Sequence, residues 1–116
     1  MKAKIYHNPR CSKSRAVLAL LNEHGAEVEV VDYLANPPSR AALSDLLRKL
    51  AVPASELVRS DAPEYRAAIA AGRAETETDL LDLLAAQPRV LQRPIVEVGD
   101  RAAICRPPER VHDLLQ

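Results

Sequence analysis

The chain has 116 residues, of which 16 are basic and 16 acidic, so its formal net charge is zero. This balance argues against a broad surface for nucleic acid or membrane, and no apolar run approaches the ~18 residues of a membrane span. The length suits a single domain with a buried core. That core must be aliphatic, because the sequence has no Phe or Trp and only three Tyr.

The cysteine count favours a reducing compartment. Cys11 and Cys105 are too few for a disulfide framework. Residues 1–4 lead directly into a strand pattern, without the apolar core of a signal peptide. We therefore expect a cytoplasmic protein. The two cysteines and three scattered histidines lack the spacing of a zinc site, so no metal is predicted.

The first third of the chain predicts a βαβ unit. Residues 3–6 and 27–33 have strand-like patterns, and residues 12–24 carry apolar side chains at helical spacing before Gly25. Two strands joined through one helix pair in parallel, with a right-handed crossover.

The middle of the chain, residues 39–86, predicts a helical block. Ser39 is placed to cap a helix whose leucines recur at i, i+3, i+4 and i+7. Two short helical segments follow, and then Thr76 or Thr78 caps a helix that ends near residue 86.

The last part predicts strands and one more helix. Residues 90–92 and 95–98 are strand-like, Gly99-Asp100 signals a turn, and residues 102–105 form the returning strand of a hairpin. Pro107-Pro108 opens the final helix.

The element order βαβ, helices, ββα predicts an α/β fold. We expect one domain over residues 1–116, built on a mixed four-stranded sheet flanked by helices. The helical segment at about 39–86 is then an insertion between the βαβ and ββα parts.

The segment between the first strand and the first helix carries the candidate chemistry. Cys11 precedes a helix that begins at Ser12, where unpaired N–H groups and the helix dipole favour an anion. This field lowers a thiol pKa from about 8.5, and Arg10, Lys13 and Arg15 add positive charge. A thiolate beside an anion-binding loop is equipped to attack an oxyanion.

Four segments, taken together and in order, resemble the glutaredoxin-linked arsenate reductases, a family with the thioredoxin fold. They are His7-Asn8-Pro9-Arg10-Cys11-Ser12-Lys13-Ser14-Arg15, Tyr33-Leu34-Ala35-Asn36-Pro37-Pro38-Ser39-Arg40, Gln92-Arg93-Pro94-Ile95-Val96, and Ile104-Cys105-Arg106-Pro107-Pro108-Glu109. The resemblance runs from residue 4 to the end of the chain.

The resemblance assigns the catalytic roles residue by residue. Cys11 corresponds to the nucleophile of the family. Arg59, Arg93 and Arg106 correspond to the arginines that bind the oxyanion and lower the cysteine pKa. Pro94 corresponds to the proline that thioredoxin-fold proteins hold in the cis form beside the active cysteine.

The remaining loop residues correspond to the substrate-binding part of the family site. They are His7, Ser12, Lys13, Ser14 and Arg15. The Ser12-Lys13 pair replaces the Gly-Thr of the best-known members and extends the basic rim of the loop.

The resemblance implies reduction of arsenate to arsenite through the Cys11 thiolate. Glutathione would be the co-substrate and glutaredoxin the partner of a monomer that needs no tightly bound cofactor. A phosphatase-type site is excluded because Val17 stands where Cys-x5-Arg needs arginine, and a Cys-x-x-Cys site is excluded because Ser14 stands at the second cysteine position.

Two other functions remain open from the sequence. One is a glutathione-dependent thiol–disulfide reductase that acts on another substrate. The other is a non-catalytic protein-binding module with the same fold. Cys105 also has two interpretations, as a core residue or as a resolving thiol.

Overall fold

The computed structural model describes residues 1–115 and divides into two compact units. The first unit comprises Met1–Asn36 and the segment from Arg93 onward. The second unit is Pro37–Gln92, which includes the segment 39–86 that was predicted to be helical. That the whole chain acts as one domain stays a prediction.

A mixed four-stranded sheet forms the centre of the first unit. The strands are β1 (Lys2–His7), β2 (Glu27–Asp32), β3 (Ile95–Val98) and β4 (Arg101–Ile104). Their order across the sheet is β2-β1-β3-β4, with β1 parallel to β2 and the other two pairings antiparallel. This is the predicted βαβ and ββ arrangement, and the predicted thioredoxin-like fold class is confirmed.

Helix α1 (Ser12–Glu23) covers one face of this sheet. Its Val17 and Leu21 are fully buried against Ile5 of β1 and Val96 of β3. The helix stops because Gly25 adopts φ +83, a left-handed conformation that side chains other than glycine rarely tolerate. The buried stripe of α1 therefore fixes where the helix starts relative to the end of β1.

The second unit is helical. It contains α2 (Arg40–Leu50), α3 (Pro63–Ala70) and α4 (Glu77–Ala86). Ser39 Oγ accepts the Ala42 N–H at 3.1 Å, as expected of an N-cap. The leucines of α2 and α4 are buried within this unit.

The structure corrects three details of the predicted elements. Residues 90–92 do not form a strand: Pro88–Val90 is a 3₁₀ turn, and only Leu91 makes a single bridge, to Val58. The last helix is a 3₁₀ helix, Pro108–Leu114. Cys105 lies just after β4 and not inside it. Closely spaced prolines explain the first correction, because Pro88 and Pro94 leave no room for a longer ladder.

Within residues 1–115, no helix combines the length and apolar character needed to cross a membrane.

We expect Thr76→Ala to lower the free energy of unfolding by about 1 kcal/mol. Thr76 Oγ1 accepts the Asp79 N–H at 3.0 Å, and an Asp79 carboxylate oxygen accepts the Thr76 N–H at 3.3 Å, which makes a reciprocal capping box. Urea unfolding followed by circular dichroism measures the change. Thr78→Ala is the control, because Thr78 is the second residue of the same helix. This substitution should change the free energy of unfolding by no more than a few tenths of a kcal/mol. Equal stability of the two variants would show that the cap contributes nothing.

Candidate active site

The loop between β1 and α1 places Cys11 at the N-cap of α1. Cys11 has an extended backbone, φ −92 and ψ 119, while its carbonyl already accepts the Arg15 N–H at 3.0 Å. Its own N–H donates to the Asn8 carbonyl at 3.0 Å. An N-cap side chain faces the N–H groups two and three positions ahead, so the sulfur faces the N–H groups of Lys13 and Ser14.

Buried polar side chains hold this loop in shape. Asn8 Oδ1 accepts the Arg10 N–H at 3.0 Å, and the Asn8 N–H donates to Ser14 Oγ at 3.1 Å. His7 Nδ1 lies 2.6 Å from the same Ser14 oxygen. His7, Asn8 and Ser14 are all buried. A satisfied buried network of this kind keeps the Ser14 N–H aimed at the sulfur.

His7 contributes to this network as a neutral ring. Burial is the largest influence on the His7 pKa and lowers it. The Asp32 carboxylate acts in the opposite direction, and the Arg15 guanidinium lowers the pKa further. The net effect holds the pKa of His7 below its ordinary value.

The Cys11 pKa is lowered by its surroundings. Burial is the largest single influence and raises it, because a thiolate is poorly solvated away from water. The Ser14 N–H, the Arg93 guanidinium and the Lys13 N–H act against burial and together outweigh it. The pKa of Cys11 therefore lies below its ordinary value, which favours the thiolate form of this half-exposed residue.

Two arginines of the predicted set lie in the first unit with Cys11. Arg93 immediately precedes Pro94 and β3, and its guanidinium hydrogen-bonds the Cys11 sulfur. Burial lowers the Arg93 pKa, but its contacts with the Cys11 sulfur and with Tyr33 outweigh burial and raise it. Arg106 Nη1 donates to the Arg93 carbonyl at 3.3 Å. Arg93 therefore contacts Cys11, and Arg106 is linked to the backbone of Arg93.

The Arg93 guanidinium retains an unused donor. Its Nε is buried and has no hydrogen-bond partner among residues 1–115. A buried donor without a partner is rare and costly, so it calls for an acceptor. An oxyanion bound beside the sulfur would supply one.

The Arg93–Pro94 and Arg106–Pro107 peptide bonds are both cis. The sequence analysis predicted a cis bond only at Pro94.

Arg59, the third arginine of the predicted set, belongs to the second unit. Its side chain donates to the Arg89 carbonyl at 3.3 Å and lies 3.5 Å from an Asp61 carboxylate oxygen. Its N–H donates to the Val90 carbonyl at 2.7 Å. Its predicted role toward Cys11 stays a prediction.

The other predicted site residues occupy different environments. Ser12 and Lys13 are exposed in the first turn of α1. Arg15 is exposed as well, but its Nη1 donates to the Pro9 carbonyl at 2.9 Å and so fixes the loop. The substrate-binding roles predicted for these three residues stay predictions.

Cys105 is fully buried in the core of the first unit. Burial raises its pKa to about 12, so it stays a thiol near neutral pH. The structure therefore favours the interpretation of Cys105 as a core residue over that of a resolving thiol.

The sequence analysis gave no role to Asn8 or Tyr33. Asn8 stands in a Pro-containing loop, where asparagine side chains often form hydrogen bonds with nearby backbone groups. This preference could have predicted the bond between Asn8 Oδ1 and the Arg10 N–H. Tyr33 is fully buried and interacts with Arg93, about sixty positions away in sequence. No local pattern announces such a contact.

No group of three or more His, Cys, Asp or Glu side chains within residues 1–115 is placed to hold a metal ion.

The sequence pattern of the ArsC family matches residues 6–114. The chain belongs to the ArsC family. It is 39% identical over 113 residues to a protein of Neisseria meningitidis serogroup A named arsenate reductase, covering 97% of each chain. It is 44% identical over 115 residues to the Escherichia coli K12 protein named "Uncharacterized protein YfgD", covering 98% of this chain and 97% of that one.

Solved structures of the ArsC family share the fold. The structure named arsenate reductase from Vibrio cholerae superimposes with a TM-score of 0.92 at 34% identity, over 97% of each chain. The family resemblance drawn from the four sequence segments is thus confirmed.

We expect Arg93→Gln to raise the pKa of Cys11 by about one unit, because it removes a charged donor from the thiolate. The rate of iodoacetamide alkylation against pH reports this pKa, and in the original chain its midpoint should lie below that of a free thiol. Arg10→Gln removes a neighbouring exposed charge and serves as the control. An equal shift in both variants would mean that general charge, and not the Arg93 hydrogen bond, sets the pKa.

Proposed function

We propose that this protein reduces arsenate to arsenite in a cycle that depends on glutathione and glutaredoxin. One observation carries the proposal: Cys11 is the N-cap residue of α1 and its sulfur interacts with the Arg93 guanidinium, whose buried Nε has no hydrogen-bond partner among residues 1–115. The ArsC-family relatives named arsenate reductase support it.

In the first step the Cys11 thiolate attacks arsenic(V). A sulfur–arsenic bond forms and an arsenic–oxygen bond breaks, and the departing oxygen leaves as water after taking a proton from the protonated arsenate. Arg93 and Arg106 stabilise the charge on the remaining oxygens, because guanidinium groups match paired oxygen acceptors.

The loop network supports this step without touching arsenic. Ser14 Oγ is bonded to the Asn8 N–H and lies 2.6 Å from His7 Nδ1, so the Ser14 N–H keeps its direction. A fixed donor needs no reorganisation when charge shifts from sulfur to the arsenate oxygens. The hydrogen bonds of the loop therefore lower the activation barrier of this step, because they are already formed before the reaction begins.

Reduction then requires two electrons from outside thiols. Glutathione sulfur displaces an oxygen of the Cys11–arsenic(V) adduct, and this oxygen leaves as water. The glutaredoxin thiolate then attacks the glutathione sulfur, so the arsenic–sulfur bond to glutathione breaks, its electron pair reduces arsenic(V) to arsenic(III), and a glutaredoxin–glutathione disulfide forms. Hydrolysis of the Cys11–arsenic(III) bond releases arsenite and Cys11, and a second glutathione regenerates glutaredoxin and forms glutathione disulfide. The overall reaction converts arsenic acid and two glutathione molecules into arsenous acid, glutathione disulfide and water. Cys105 cannot substitute for the outside thiol, because it is buried and its pKa is about 12.

We expect Cys11→Ser to abolish arsenite production, because a serine hydroxyl is not ionised at neutral pH and does not carry the redox step. Chromatographic separation of arsenite from arsenate, with glutathione and glutaredoxin supplied, measures turnover. Cys105→Ala is the matched control and should keep most of the activity. Arsenite production by Cys11→Ser, or its absence from the original chain, would refute the proposed function.

We expect Arg106→Gln to raise the KM for arsenate at least tenfold, since a charged hydrogen bond to an oxyanion contributes about 1.5–3 kcal/mol. The KM for glutathione should change much less. Arg110→Gln replaces an exposed arginine in the same segment and should leave both constants unchanged. An unchanged arsenate KM in Arg106→Gln would remove this arginine from the site. Turnover of a glutathione mixed disulfide without turnover of arsenate would instead establish a thiol–disulfide reductase.

A further inference from the structure

Tyr33 lies at the end of the sheet that carries the active-site loop. The last pair of the parallel β1–β2 ladder joins His7 to Asp32, and Tyr33 follows directly. Strand β3 runs antiparallel to β1 and begins at Ile95, two residues after Arg93. The two strands that flank β1 therefore bring Tyr33 and Arg93 to the end of the sheet where that loop leaves β1.

The backbone is held on both sides of Tyr33. Asp32, directly before it, is the last residue of β2. An Asp32 carboxylate oxygen accepts the N–H groups of Leu34 and Ala35 at 3.1 and 3.3 Å. The Asp32 carbonyl accepts the Asn36 N–H at 2.8 Å. Tyr33 therefore stands between a strand and a hydrogen-bonded turn.

The Tyr33 side chain is fully buried, and it has the greatest volume of the fully buried side chains among residues 1–115. A buried tyrosine hydroxyl needs a polar partner, a requirement that Phe or Leu would not impose. In this structure Tyr33 interacts with the Arg93 guanidinium. Packing of the ring alone therefore does not account for a tyrosine at this position.

The Arg93 guanidinium contacts two groups. Burial lowers the Arg93 pKa, and the contacts with the Cys11 sulfur and with Tyr33 raise it by more. A guanidinium is planar and rigid, but it is attached through a stem with several rotatable bonds. A single contact with the sulfur leaves the guanidinium plane free to turn, whereas a second contact with an immobile side chain fixes it.

A hydroxyl suits this task better than a carboxylate would. Arginine can only donate hydrogen bonds, so an oxygen that orients it must accept. A neutral acceptor orients the guanidinium without cancelling the charge that lowers the Cys11 pKa. Among residues 1–115, no carboxylate forms an ion pair with Arg93, whereas Arg59 lies 3.5 Å from an Asp61 carboxylate oxygen.

We propose that Tyr33 is a positioning residue whose hydroxyl holds the Arg93 guanidinium against the Cys11 sulfur. Tyr33 then favours the thiolate form of Cys11 by acting through Arg93. The inference rests on the proposed function only for the further step in which Arg93 binds arsenate, because the effect on Cys11 needs no substrate.

We expect Tyr33→Phe, which keeps the ring and removes the hydroxyl, to raise the pKa of Cys11 by about half a unit. The rate of iodoacetamide alkylation well below the midpoint should then fall about threefold. Tyr6→Phe is the matched control, because Tyr6 is also buried and its hydroxyl donates to a Glu97 carboxylate oxygen at 2.8 Å. It should leave the alkylation profile unchanged.

A double variant separates positioning from a structural role. If Tyr33 acts through Arg93, adding Tyr33→Phe to Arg93→Gln should shift the Cys11 pKa no further. A residue that only packs the core would alter the urea midpoint of unfolding without moving the Cys11 pKa. An unchanged Cys11 pKa in Tyr33→Phe, an equal shift in Tyr6→Phe, or the full shift in the Arg93→Gln background overturns the proposal.

Arg93→Lys tests the proposal with Tyr33 intact. Lysine keeps the positive charge but lacks the planar fork that can contact a hydroxyl and a sulfur together. The Cys11 pKa should therefore rise toward its value in Arg93→Gln. A Cys11 pKa equal to that of the original chain would overturn the proposal, because charge without orientation would then be sufficient.

The arsenate reaction supplies the readout that depends on the proposed function. Tyr33→Phe should raise the KM for arsenate about threefold and change the KM for glutathione much less, because the oriented Arg93 also binds the oxyanion. A chain that shows the predicted alkylation profiles but reduces no arsenate would refute the proposed function and leave the role of Tyr33 toward Cys11 standing.

Discussion

The constraint on which the site depends is the position of Cys11 as the N-cap residue of α1. A helix leaves its first N–H groups unpaired, and most helices satisfy them with a hydroxyl, amide or carboxylate oxygen. In this chain the N-cap is Cys11, and the N–H groups of Lys13 and Ser14 lower its pKa together with Arg93. The N–H groups at the start of the helix therefore also favour the thiolate form of its N-cap residue.

Two parts of the fold position Cys11 at the start of α1. Along the chain, buried His7, Asn8 and Ser14 fasten the loop to the end of β1 and to the first turn of α1. Across the sheet, β3 lies beside β1, which brings Arg93 at its start to the sulfur. The central position of β1 in the sheet thus serves the chemistry as well as the packing.

Local patterns in the sequence were enough to predict the helices, the parallel β1–β2 pair and the hairpin, because apolar periodicity and caps are local signals. They failed at residues 90–92, where apolar residues between prolines look like a strand but form only one bridge. Within the site, the helix N-terminus predicted Cys11 unaided. Arg93 and Arg106 needed the family resemblance, and the contact of Tyr33 with Arg93 was missed, since such pairings depend on distant segments meeting in three dimensions.

The burial of Cys105 has a consequence for oxidative chemistry. A thiolate at Cys11 is open to peroxide, which converts it to a sulfenic acid, and a nearby thiol usually stops the process there by forming a disulfide. Cys105 is the only other cysteine of the chain, and it is fully buried and protonated near neutral pH. Oxidised Cys11 must then be rescued by a thiol from outside, or proceed to the irreversible sulfinic and sulfonic forms. Because Cys105 is buried in the core, recovery of oxidised Cys11 depends on thiols from other molecules.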